Sequence, residues 1–299
     1  MPETQNHCPL CKEPGPFIPF FTYIHKTRPE NRWVLCPVCG AVFVSPRPTQ
    51  EELDRYYAAE YREQVQGTAQ PKNSNLNEES IRANRLHWFI RRFLPKVERH
   101  LDIGSSAGLL LAEIQSDYKC ESYGIEPGDA FRDFADEQIK GAGGQVKFYR
   151  TLNEAPDWGY DLITISHVLE HMTDPLGYLD NLINHYIPDG GHLMIEVPNL
   201  FGEPTALIYP HMVAFCHETL WTTINKVGLT PIEIETSQPG FRHPVSPPPY
   251  LTAMSRKGNI DIVEDYRARH KAMLHEAMTM GRIQRLLKGQ EAAAVQPLP

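Results

Sequence analysis

From residue 96 onward, two hydrophobic periods alternate along the chain. Short apolar runs of strand type recur in RHLDIG (99–104), SYGIEP (122–127), QVKFY (145–149), YDLITIS (160–166), GHLMIEV (191–197), TPIEIET (230–236) and PYLTAMSR (249–256). Between them GLLLAEIQ (108–115), DAFRDFADEQI (129–139), DPLGYLDNLINHYI (174–187) and ETLWTTINKVG (218–228) carry the helical period. The third of these is explicit: Asp174 sits at the cap, Pro175 in the first turn, and Leu176, Leu179, Ile183 and Ile187 form one stripe. Asp129 opens the second helix and Gly228 closes the fourth. Such alternation predicts a doubly wound, mostly parallel sheet of seven strands. No helix separates the last two strands, so the last is expected to return antiparallel.

Ahead of residue 96 the pattern is shorter and mixed. FIPFFTYI (17–24), RWVL (32–35) and AVFVSP (41–46) read as strands. PRPTQEELDRYYAAEYRE (46–63) predicts a short helix behind a proline, and QVQGTAQPKNSNLNEES (64–80) has no apolar period and reads as a linker. Helix signals resume in IRANRLHWFIRRFL, with Leu86, Phe89, Ile90 and Phe93 on one face and Pro95 ending it. Beyond Gly258 a long helical pattern (Val263, Tyr266, Met273, Ala277, Ile283, Leu287) predicts a packing or dimerisation helix with a disordered tip. The expected divisions are 1–50, 51–95 (helix and linker), 96–257 (the sheet domain) and 258–299 (helix and tail).

Of the 299 residues, 41% are hydrophobic, enough for one large α/β domain with small additions. No apolar run reaches the roughly 18 to 20 residues of a membrane span, and MPETQNHCPL lacks the basic and apolar regions of a secretory signal. A cytoplasmic protein is expected. The net charge of −8 disfavours polyphosphate partners, and Lys26, Arg28 and Arg32 are too few for a phosphate track. An RNA-modifying enzyme that holds RNA through its N-terminal module, or a non-catalytic cofactor-binding protein, are the rival classes.

Cysteines change the picture at the N-terminus. Cys8 and Cys11 in CPLC, with Cys36 and Cys39 in CPVCG, form two C-x-x-C knuckles. In a reducing compartment these predict a tetrathiolate zinc site, hence a zinc ribbon over residues 1–50. The pattern offers no fifth ligand, so the site is closed and structural. Cys120 and Cys216 read as buried small hydrophobes, and Trp33 and Trp158 as core.

Candidate chemistry concentrates after the first parallel strand. LDIGSSAG (101–108) resembles a dinucleotide fingerprint, but a G-x-G-x-x-G starting at Gly104 meets Ser106 and Leu109 where glycines are needed. Gly104 and Gly108 allow a tight turn and close approach, whereas Ser106 obstructs a pyrophosphate. Glu126, ending the second strand, suits a ribose diol. The loop fits S-adenosylmethionine better than NAD.

Taken together, LDIGSSAG, YGIEP, YDLITISHVLEHMTDP and PDGGHLMIEVPN resemble the ordered motifs of class I S-adenosylmethionine-dependent methyltransferases, over about residues 80–256. With the ribbon in front, the chain further resembles the zinc-containing methyltransferases that act on nucleotide-linked and surface-polysaccharide sugars. The resemblance implies a Rossmann-like sheet and a set of site residues. Asp102, Gly104, Ser105 and Gly108 would line the amino-acid end of the cofactor, Glu126 its ribose, Asn153 or Glu154 the adenine, and Ser166 the strand end beside it. His167, Glu170 and His171 would face the methyl group. His211 falls where the sugar family has a Tyr-x-Glu-His base motif, of which Ile208, Tyr209, Pro210 and His211 keep the histidine alone. The implied reaction is O-methylation of a sugar nucleotide or glycan, with C-methylation second, and His171 or His211 as base.

Overall fold

A computed structural model describes residues 3–25, 28–59, 70–202, 204–237 and 249–258. The helical pattern past Gly258, with its expected packing or dimerisation role, lies outside the described residues, as do residues 60–69, the end of the expected short helix and the start of the expected linker. No helix among the described residues is long and apolar enough to cross a membrane.

The chain opens with strands β1 (Ile18–His25), β2 (Arg28–Leu35) and β3 (Val42–Val44), then helices α1 (Gln50–Ala59) and α2 (Asn73–Arg91). Alternation follows: β4 (Arg99–Ile103), α3 (Leu109–Tyr118), β5 (Glu121–Ile125), α4 (Asp129–Gly141), β6 (Val146–Tyr149), β7 (Leu162–Ser166), α5 (Pro175–Tyr186) and β8 (His192–Pro198). A two-residue β9 (Val213–Ala214), α6 (His217–Lys226), β10 (Leu229–Ser237) and β11 (Tyr250–Lys257) complete it.

Seven strands form one sheet in the order β10-β11-β8-β7-β4-β5-β6. β4 to β8 are parallel, and β11 pairs antiparallel with both β8 and β10. The predicted reversal of the last strand is therefore present. Parallel strands buried on both faces read as continuous apolar runs, and β7 (LITIS) and β8 (HLMIEVP) are buried almost throughout. On one face Leu86, Phe89 and Ile90 of α2 pack with Leu110, Ile114, Met194 and Met254. On the other, Leu179, Leu182 and Ile183 of α5 pack on Ile163, Ile165 and Ile195.

Two elements depart from expectation. α2 begins at Asn73, inside the segment that reads as linker. A helix nucleated by the packed face further on adds turns at little cost, so NSNLNEES needs no apolar stripe of its own. β9 was not foreseen. It pairs with β3, giving a second sheet of order β1-β2-β3-β9 in which the three N-terminal strands and a strand from the loop after β8 are joined. Trp33 is core at 1% exposure, but Trp158 is 54% exposed and meets Tyr123 only edge-on, so its expected core role is corrected.

Candidate active site

The parallel strands present their carboxyl ends along one edge, where a doubly wound sheet binds its ligand. The turn after β4 starts at Gly104 with φ +76°, where a Cβ would lie 2.3 Å from Val168 Cγ2, so only glycine fits. Its N–H and that of Ser105 donate to Ile125 O, tying the turn to β5. Gly108 (φ +74°) precedes α3, and a Cβ there would press on Ala135. The Glu126 carboxylate accepts from Ser106 N at 3.1 Å and Gly128 N at 2.8 Å, which fixes it across the turn.

Asp102 is buried at the end of β4 and accepts from Thr164 Oγ1 at 2.6 Å. Thr164 has one hydrogen to give, so His100 Nε2 at 2.8 Å is the donor to that hydroxyl. Burial, with the charge of Glu126 adding to it and the Thr164 bond opposing, pushes the Asp102 carboxyl up to about 7. Two acids at neighbouring strand ends, and a buried Ser105 hydroxyl without a hydrogen-bond partner, suit a cationic ligand. They repel a pyrophosphate. The residues present thus fit S-adenosylmethionine, whose sulfonium and ammonium are both positive.

Asn153 and Glu154 lie in a short 3₁₀ turn after β6, both exposed. Glu154 accepts from Arg150 N and Thr151 Oγ1, capping its own turn. Ser166 ends β7 with its hydroxyl 3.4 Å from Glu196 Oε1.

After β7, His167 takes φ +55°, unusual for a residue with a Cβ, and the 3₁₀ turn Leu169–His171 follows. Glu170 is turned inward at 1% exposure. Its Oε1 lies 3.4 Å from His167 Nδ1 and 3.8 Å from His171 Nε2. His167 Nε2 lies 3.4 Å from Glu196 Oε1. Glu196 in turn meets Arg85, Arg82 Nε at 3.7 Å and the Thr252 hydroxyl at 3.0 Å. His211 joins from the loop after β8, its ring 4.7 Å from that of His171. The result is a buried row of alternating groups: arginines, Glu196, His167, Glu170, then the His171–His211 pair.

Burial works against charge on each member, and the neighbours decide the outcome. For Glu170, burial is outweighed by the His167 contact and the nearby imidazoles, which hold its carboxyl at about 2. His167 overcomes burial and Arg82 because two carboxylates flank it, so its pKa is raised. Burial, reinforced by His171, pushes His211 down to about 3. His171 is lowered too, by burial. Burial thus pushes both rings of the pair towards the neutral form.

Sequence reasoning named His167, Glu170, His171 and His211, and the structure brings all four together. It missed Glu196, Arg82, Arg85, Thr164 and His100. Glu196 had a signal: a carboxylate inside the apolar run GHLMIEV is costly unless paired. The arginines had none, since α2's polar face looks like any solvated face.

Cys8, Cys11, Cys36 and Cys39 converge, with their sulfur atoms within 4.8 Å of one another. Cys8 Sγ is 3.6 Å from Cys39 Sγ, and Cys11 Sγ is 3.6 Å from Cys36 Sγ. Zinc–sulfur bonds of about 2.3 Å give a tetrahedral edge of about 3.8 Å, so the donor set fits zinc. The two knuckles repeat one backbone pattern. Lys12 N donates to Cys8 O and Gly40 N to Cys36 O, both at 3.0 Å, with Lys12 and Gly40 both at positive φ. The knuckles touch the site region: Lys12 Nζ pairs with Asp174 Oδ1 at 2.8 Å, and Lys226 Nζ donates to Cys11 O. Val44 N donates to Met212 O and Met212 N to Glu170 O, so the residue after His211 bridges β3 and the turn that carries Glu170.

Comparison with known proteins agrees with this fold. The sequence profile of the family described as "Methyltransferase domain" matches residues 73–226, more than half of the chain. The 1,6-didemethyltoxoflavin N1-methyltransferase of Burkholderia thailandensis, solved with 1,6-didemethyltoxoflavin and S-adenosylhomocysteine bound, superposes with a TM-score of 0.56 at 14% identity. That alignment covers 80% of this chain and 99% of that one. The N-methyltransferase NodS of Bradyrhizobium japonicum, solved with S-adenosylhomocysteine, gives 0.48 at 21% identity over 70% and 98% of the two chains. No curated protein matches by sequence. On the family match and the sheet order together, the chain belongs to the methyltransferase-domain family.

Proposed function

We propose that the protein transfers a methyl group from S-adenosylmethionine to a hydroxyl of a small molecule, a sugar carried on a nucleotide or glycan. The observation that carries the cofactor is the pair of acids, Asp102 and Glu126, under a turn that Gly104 and Gly108 alone can make. Asp102 and Ser105 would hold the amino-acid end, Glu126 the ribose, and the turn Leu152–Glu154 would border the base. When bound, the cofactor supplies an electrophilic methyl group on a sulfonium. The chain's own part is to hold the acceptor in line with that group, exclude water and ease the loss of the hydroxyl proton. Glu170, His171 and His211 are the groups for the last task, and His167 with Glu196 and the two arginines keeps Glu170 in place. The ribbon, residues 1–50, would carry zinc on Cys8, Cys11, Cys36 and Cys39 as a closed structural site. The sugar acceptor rests on the resemblance of the ribbon and of His211 to the sugar enzymes.

Calorimetry with S-adenosylmethionine and with NAD tests the cofactor: binding of the first alone is expected, and binding of NAD alone would end this reading. A screen of sugar nucleotides and glycan extracts for transfer of labelled methyl then identifies the acceptor.

A further inference from the structure

Glu170, His171 and His211 offer one ligand atom each, all within 4.8 Å of one another. Two observations separate this trio from an ordinary buried ion pair. Apart from the long 3.4 Å contact of His167 Nδ1 to Oε1, neither Glu170 carboxylate oxygen accepts a hydrogen bond, although the residue is 1% exposed; a buried carboxylate normally has its lone pairs filled by donors. His211 Nδ1 lies 3.3 Å from Ala206 O, and a carbonyl can only accept, so Nδ1 carries the hydrogen. That leaves Nε2 as the lone pair this ring has to offer. A backbone carbonyl fixing the far nitrogen is the arrangement that orients metal-binding histidines.

We propose that Glu170, His171 and His211 form a binding site for a borderline divalent cation of the zinc type at the acceptor end of the cleft. Two imidazoles and one carboxylate match that class of ion better than calcium or magnesium, which take oxygen ligands. With metal–ligand bonds of about 2.0–2.2 Å, the three donors need to close by about 1 Å. Three protein ligands leave a position open, in contrast to the closed set of four thiolates in the ribbon. The catalytic consequence rests on the methyl-transfer reading. An acceptor hydroxyl in the open position would become more acidic and would give up its proton to bulk solvent as it binds, before water is excluded. Its oxygen then forms the new O–CH₃ bond as the C–S bond breaks, the electron pair going to sulfur.

Cobalt titration and metal analysis of the full chain test this. The wild type is expected to bind two equivalents, one with the intense thiolate-to-cobalt charge-transfer band and one with weak visible bands only. Glu170→Gln and His211→Gln should each drop the total to one while the charge-transfer band persists, and that retained band with cofactor binding shows that the variants are folded. Cys36→Ser should abolish the band and keep the weak one. A wild type that binds one equivalent, all of it through thiolates, or variants that keep both, would overturn the proposal and leave an imidazole base acting alone. Two equivalents in a protein that fails to bind S-adenosylmethionine would keep the cation site and remove the methyl-transfer reading.

Discussion

Asp102 shows how one residue's surroundings become a measurable property of binding. Its carboxyl, raised to about 7 by burial and by Glu126, holds a proton in the ligand-free protein through the mildly acidic range. The folded state then binds that proton more tightly than the unfolded chain does, so stability from this group falls as pH rises from about 4 towards 7. A cationic ligand beside it favours the ionised form, so cofactor binding should release a proton below pH 7 and tighten as pH rises to that point. Calorimetry in two buffers of different ionisation enthalpy reads this directly, and Asp102→Asn should remove the buffer dependence. Heats that do not depend on the buffer would show that Asp102 does not meet the cofactor's charge. At the acceptor end, His211→Ala should lower kcat by roughly 10²- to 10⁴-fold with cofactor affinity near that of the wild type. If His211→Ala and His171→Ala both keep near-normal turnover, the cluster has no part in activating the acceptor. The four residues of this cluster were named through the family resemblance, three of them by their place after the YDLITIS run and His211 as the one histidine kept from the sugar family's base motif. Their partners on α2 were not, because Arg82 and Arg85 face a sheet whose position no local pattern reveals.

At the level of elements, the order of strands and helices was readable because each parallel strand is an uninterrupted apolar run and each helix has its stripe. Lengths were less readable: α2 extends back to Asn73 on the strength of packing near Leu86 and Ile90, not of its own first turns. Its early extension matters, since Glu79 lies in it and accepts from Ser106 Oγ at 3.3 Å. The turn after β4 is the most constrained junction. In Gly104→Ala, the left-handed backbone alone costs about 1–2 kcal/mol, and the added Cβ meets Val168 at 2.3 Å. Val168 immediately precedes the 3₁₀ turn of Glu170, so the displacement reaches both halves of the site. A lowered melting temperature together with weakened S-adenosylmethionine binding is the expected result, and an unchanged melting temperature would contradict the strain.

Across the molecule, the N-terminal strands and the seven-stranded sheet share one core among the described residues. The core that holds Ile163, Ile195 and Leu220 also contains Cys8, Cys36, Phe43 and Leu53, and Trp33 Nε1 donates to Leu207 O, 174 positions away. The C-x-x-C spacing pointed to the four cysteines that converge, but a two-residue β9 carries no periodicity, so the union of the two sheets could not be read in advance. Cys36→Ser is expected to release zinc and destabilise the ribbon, and through β3 and β9 it should lower kcat while the Asp102–Glu126 end still binds the cofactor. Loss of zinc with unchanged kcat would make the ribbon a passive appendage. The same pairing sets a timetable for biogenesis. Synthesis delivers β1 to β3 long before β9, so the outer edge of β3 waits with unpaired backbone groups while most of the parallel sheet is still to be made. The wall that carries His211 closes only when β9 pairs with β3. A refolding chain should therefore regain S-adenosylmethionine binding, which needs β4 and β5 and their turns, before it regains turnover, and a zinc-depleted chain should stall between the two.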